Sequence, residues 1–160
     1  FDLFEGCWST EIPNTYNTGG FKGFNDERIT WLLEEIGAIE GKSVLEFGPL
    51  EGGHTYMLEK AGAEVTSIEG NHGAFLRCLT VKNFLGLRSK FVLGDFSKMD
   101  LSEFFIMSTT IFLVSSRIHI SLLLSKLLNP CLGLNYFGFS NLSGSSGPKQ
   151  LQLLPILILF

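Results

Sequence analysis

The spacing of apolar and polar positions changes period several times within the first hundred residues. Ile29, Leu32, Leu33 and Ile36 recur at the interval of one helix face. Asn25-Asp26-Glu27 precedes them, placing a capping side chain and acidic groups where the N-terminal dipole favours them. Gly37 follows as a stop. Ser43–Phe47 reads as a short strand after Gly41-Lys42. Gly52–Ala61 reads as a helix stopped by Gly62, and Glu64–Ile68 as a second strand with β-branched Val65, Thr66 and Ile68. Asn71 caps a third helix whose expected buried set is Ala74, Phe75, Cys78, Leu79 and Leu85. Lys90–Leu93 is a third strand that runs into Gly94-Asp95.

Strands and helices that alternate with short turns predict parallel strands joined by right-handed crossovers. The expected fold class is α/β, a Rossmann-like three-layer sandwich with a mostly parallel sheet, incomplete in the C-terminal third. Residues 1–24 form an irregular aromatic lead-in, with Trp8 and Phe21 as expected packing residues. Residues 25–100 form the core. Residues 101–160 differ in texture, for their only charged side chains are Glu103, Arg117, Lys126 and Lys149 among Leu, Ser, Phe, Ile and Gly. This segment is expected to belong to the same domain if it folds. Its longest apolar runs, 104–114 and 151–160, are interrupted and fall short of the roughly 18–20 residues that span a bilayer. No transmembrane segment is therefore expected. The break after about residue 96 has two readings: a shift of coding frame, or a divergent last third that packs as apolar strands or docks on a partner.

Composition narrows the classes further. A chain of 160 residues, 45% apolar and 18% charged, suits one globular domain. The net charge of −4 argues against a general grip on phosphates, so nucleic acid is a disfavoured partner. Cys7, Cys78 and Cys131 lie far apart and offer no zinc spacing, so no metal site is expected. Free thiols suit a reducing compartment, and a cytoplasmic location is expected. The first residues, Phe-Asp-Leu-Phe-Glu, lack the basic and apolar regions of a signal peptide.

Ligands of such sheets bind at the carboxyl ends of the strands. Glu46, Gly48, Glu69 and Asp95 fall there. Gly48 permits a tight turn and close approach of a ligand to the backbone. Glu46 can order that turn or meet a ligand's ammonium group, directly or through water. Glu69, at the end of the second strand, can accept both hydroxyl hydrogens of a ribose. Asp95 can accept from an exocyclic amino group of an adenine, with Phe96 and Gly70 beside the ring, one in contact and one leaving room. A dinucleotide site favours G-x-G-x-x-G, whereas here Leu50 replaces the second glycine and Glu51 adds negative charge. The set suits an adenosine with an amino-acid tail better than a pyrophosphate.

The segment Ser43-Val44-Leu45-Glu46-Phe47-Gly48-Pro49-Leu50-Glu51-Gly52-Gly53-His54-Thr55 resembles motif I of the class I S-adenosylmethionine-dependent methyltransferases. It is closest to a bacterial subset with the form Glu-x-Gly-Pro-x-Glu-x-x-His. Ala63–Asn71 and Phe91–Phe96 resemble that family's second- and third-strand motifs, and the likeness covers roughly residues 20–97. It implies S-adenosyl-L-methionine as cofactor and methyl transfer as the reaction. Glu46 and the Gly48 backbone would hold the methionine end, Glu69 the ribose, and Asp95 with Phe96 the adenine; Pro49 and Gly70 complete the expected cofactor-binding set. The family's usual fourth-strand Phe-Asp-x-Val is missing. Ser115-Ser116-Arg117-Ile118-His119 is similar to pieces of a loop in relatives, which makes His119 a candidate for acceptor chemistry, against an incidental histidine. No catalytic residue is legible, and the acceptor is a small molecule or another group the sequence does not name. The competing functions are a non-catalytic nucleotide-binding module and an NAD-dependent oxidoreductase.

Overall fold

The computed structural model describes residues 1–16, 18–95, 98 and 99, together with the backbone of 111–114, 135–138 and 156–159. Helix α1 runs Glu27–Ile36. The Asp26 side chain caps it by accepting from the Arg28 amide, and Gly37, at φ 73°, accommodates the chain reversal at its end. Strand β1 is Ser43–Phe47, helix α2 is Gly53–Lys60, and strand β2 is Glu64–Glu69. Helix α3, His72–Leu85, starts where the Asn71 side chain accepts from the Ala74 amide and ends at left-handed Gly86. Strand β3 is Lys90–Leu93. Strands β4, β5 and β6 are Ile111–Val114, Asn135–Gly138 and Ile156–Leu159.

All described strand pairs are parallel, in the order β3-β2-β1-β4-β6-β5. The chain therefore builds outward from β1 through β2 to β3, then returns to the other side of β1 at β4. That reversal opens a crevice at the carboxyl end of β1, the usual ligand position of an open parallel sheet. Being central, β1 is buried from Val44 to Phe47, which is why its sequence reads as one apolar run broken only by Glu46. The fold is the α/β, Rossmann-like arrangement that the alternating pattern predicts.

One core cluster joins Ile29 and Leu32 of α1 to Ile39, Val44, Leu58, Ala63 and Val65. A second joins Trp8, Ile12 and Phe24 of the lead-in to Val81 of α3. Trp8 thus packs as expected, with Phe1 and Phe4 rings against it. Phe21 does not: it is 50% exposed. The buried set of α3 also needs correction. Ala74, Cys78 and Val81 are buried, while Leu79 is exposed. Residues 74, 78 and 81 follow the i, i+4, i+7 rule, whereas position 79 lies about 140° round the helix from 74.

Candidate cofactor site

The site is built on the turn from β1 into α2. Three residues of this turn take left-handed conformations: Gly48 at φ 71°, Leu50 at φ 58° and Gly52 at φ 80°. Glycine adopts that region freely, but for leucine it costs about 1–2 kcal/mol. The Leu50 peptide is held on both sides. Its N–H donates to Glu69 Oε2 at 3.2 Å, and its carbonyl accepts from the Cys78 thiol at 3.2 Å. The Gly52 amide closes the turn on the Pro49 carbonyl at 2.8 Å.

Glu69 ends β2 with its carboxylate gripped by two backbone donors, Leu50 N–H on Oε2 and Asn71 N–H on Oε1 at 2.8 Å. An ionised carboxylate has about four acceptor positions, so two further donors, such as a ribose diol, can be received in an orientation already fixed. Gly48 and Pro49 lie buried beside it, and Gly70 is exposed just beyond. A Cβ on Gly70 would meet only the Gly94 carbonyl at an ordinary 3.7 Å, so space alone does not demand glycine there.

Glu46 is fully buried. Thr55 Oγ1 donates to its Oε2 at 2.5 Å and Ser67 Oγ to the same oxygen at 2.9 Å. This carboxylate ties α2 to β2 beneath the turn. Asp95 follows β3 with its side chain half exposed and an ion pair to Lys98 at 2.9 Å. The structure thus brings Glu46, Gly48, Pro49, Glu69, Gly70 and Asp95 to one end of the sheet. Phe96 and His119 lie outside the described residues, as does Cys131.

Glu51, read from sequence only as unwelcome negative charge, turns inward. It is 1% exposed, accepts from the Ser9 amide at 3.0 Å and the Thr10 amide at 2.8 Å, and pairs with Arg77 Nε at 3.0 Å. The lead-in is thereby fastened to the turn. A second contact reinforces it: a Cβ on Gly53 would stand 2.5 Å from the Gly23 backbone, so only glycine fits at the start of α2. His54, the last residue of the motif, is buried and donates from Nε2 to Asp26 Oδ2 at 3.0 Å. Asp26 also receives Arg28 through two guanidinium nitrogens, at 2.9 and 2.6 Å. Burial raises the Asp26 pKa, but the hydrogen bonds from Arg28 and His54 outweigh it and hold the carboxyl well below the usual range. Burial, with Glu46, Glu69 and Glu51 nearby, pushes the Cys78 thiol far up. Paired acidic and basic types at these spacings were visible in the sequence; their inward orientation was not. Among the described residues no group of three or more acidic, cysteine or histidine side chains could hold a metal ion, and no helix is long and apolar enough to cross a membrane.

No family model matches the chain. Two curated proteins do. The ribosomal RNA small subunit methyltransferase A of Bartonella henselae is 32% identical over 101 residues, and that of Bartonella tribocorum 36% over 101 residues. Each alignment takes in 59% of this chain and 37% of the relative, so the chain spans little more than a third of their length. Among solved structures, a dimethyladenosine transferase from Plasmodium falciparum superposes with a TM-score of 0.53 at 19% identity, over 64% of this chain and 36% of that one. These relatives overturn the expectation that nucleic acid is a disfavoured partner, because both curated proteins are named for ribosomal RNA. Net charge is an average over a chain and does not say where charges cluster. In fold and in the motif-I segment the chain is thus similar to class I S-adenosylmethionine-dependent methyltransferases.

Proposed function

We propose that this chain binds S-adenosyl-L-methionine at the carboxyl end of β1 and β2 and serves methyl transfer, with RNA as the acceptor class. One observation carries the cofactor reading: the Glu69 carboxylate, preset by the Leu50 and Asn71 amides to receive a ribose diol. The positive end of the α2 dipole favours the carboxylate end of an amino-acid tail. Gly48 and Pro49 shape the floor, Glu46 holds it rigid through Thr55 and Ser67, and Asp95 stands on the adenine side, the role that the motif resemblance also gives to Phe96. When bound, the cofactor would supply a sulfonium methyl group for transfer to the acceptor. The protein's contribution is position and electrostatics. RNA as acceptor rests on the names of the two curated relatives, and a cytoplasmic location accords with the two free thiols among the described residues.

Calorimetric titration with S-adenosylhomocysteine and with NAD tests the cofactor reading. S-adenosylhomocysteine should bind, and Glu69→Ala should weaken it about 30- to 150-fold, the loss of charge-assisted hydrogen bonds worth about 2–3 kcal/mol. Binding of NAD alone would overturn the proposal in favour of an oxidoreductase. Methyl transfer to ribosomal RNA is the acceptor test. S-adenosylhomocysteine binding with no transfer to RNA, protein or small-molecule pools would instead identify a non-catalytic module.

A further inference from the structure

A left-handed leucine in a cofactor turn calls for a physical reason. Gly48 and Gly52 flank Leu50 at two-residue intervals and share its sign of φ, so glycine would meet the backbone requirement at position 50 without strain. The hydrogen bonds that hold Leu50 use its N–H and carbonyl, and glycine would make both. The residue is 38% exposed, so burial of the rest offsets at most about 1–2 kcal/mol of that strain while part of the isobutyl group stays open to solvent. The turn therefore does not require the isobutyl group, and the core uses only part of it. Backbone strain that the fold does not need is typically kept at ligand sites. Leu50 stands at such a place, its amide on the carboxylate of Glu69.

We propose that Leu50 is the specificity-determining residue of this turn, its isobutyl group packing on the ribose and thioether of the nucleoside cofactor. The inference rests on the proposed cofactor. The same group blocks the close approach of backbone to phosphate that a dinucleotide needs, which a glycine in this turn allows. Discrimination thus comes from one side chain held in a costly conformation beside the ribose-binding carboxylate.

The test uses the 160-residue chain with Leu50→Gly and Leu50→Asn, read by calorimetry with S-adenosylhomocysteine and NAD and by thermal unfolding. Asparagine tolerates the left-handed region and nearly matches leucine in shape, so it keeps the turn where glycine loosens it. Both variants should keep their unfolding midpoint within a few degrees. Both should bind S-adenosylhomocysteine about tenfold more weakly, and the preference over NAD should narrow. Equal affinity in the variants and the unsubstituted chain overturns this inference and leaves the cofactor reading standing. Failure of the unsubstituted chain to bind S-adenosylhomocysteine overturns both.

Discussion

The Glu51 carboxylate stands 3.0 Å from Arg77 Nε in the interior, where the Glu51 side chain has no solvent exposure and Arg77 has 15%. The pair links the β1–α2 turn to α3, and the Ser9 and Thr10 amides complete it from the lead-in. Removing one partner of a buried pair costs more than the pair contributes, because the other charge is stranded. Arg77→Met should therefore lower stability by about 3 kcal/mol in urea unfolding. Glu51→Gln should cost less, about 1–2 kcal/mol, because a stranded guanidinium can reach water. The double variant should lose less than the sum. Additive losses would mean the two groups do not act as a pair.

Gly53 makes the same lead-in contact by shape. Alanine would gain up to about 1 kcal/mol of helix propensity. Its Cβ would stand 2.5 Å from the Gly23 carbonyl carbon, and backbone on that side cannot yield cheaply. The steric cost wins, so Gly53→Ala should destabilise by about 1–3 kcal/mol. Cleavage by a protease within residues 10–25 should accelerate as the segment lifts. A variant as stable and as resistant as the unsubstituted chain would show that the close contact is not maintained in solution.

Much of this was legible because β-branched strands and capped helices leave local signals. The bounds of β1 and β3 follow from short apolar runs between glycines and charges, and Asp26 and Asn71 announce their helices. Orientation was less legible. Glu51 reads as a loop charge until Arg77, 26 residues on, is folded against it. Leu79 is apolar and one position away from a buried thiol, yet faces outward because a helix turns by about 100° per residue. Net charge speaks against nucleic acid only as an average, which carries no information about where charges cluster or about the remaining length of the relatives.

Asp26 gives the fold a pH dependence of definite sign. Its pKa in the folded chain lies below the unfolded value of about 3.9, so its stabilising contribution is complete above that value. The contribution is lost as pH falls toward the folded value. Asp26→Ala removes the α1 cap and should cost about 1–2 kcal/mol at pH 7. That gap should stay level down to about pH 5 and narrow below about pH 4. A gap that widens in acid would contradict the assignment.

Cys7 is exposed and Cys78 buried, and both are free. The thiolate is the reactive form, and burial among Glu46, Glu69 and Glu51 opposes it at Cys78. Iodoacetamide at pH 8 should label Cys7 quickly and leave Cys78 untouched until denaturant is added, as peptide mass mapping would show. Rapid native labelling of Cys78 would mean that the Leu50–Cys78 contact opens readily.

The change of texture near residue 96 makes a prediction at the level of the coding DNA. Natural domains of this kind mix charge throughout, because helices that cover a sheet present one polar face to water. The chain does so up to Asp100 and then carries only four charged side chains to its last residue. A shift of frame produces such a change at one point, whereas divergence spreads its substitutions along the chain. Strand β4 pairs Val44 with Ile111 and Phe47 with Val114, so any restored frame must also supply an apolar strand at about this distance. Reading the two other frames beyond the Phe96 codon should recover such a strand with an acidic residue near its start, in the manner of Phe-Asp-x-Val. Alternate frames that hold only stop codons and no such strand would leave divergence as the explanation.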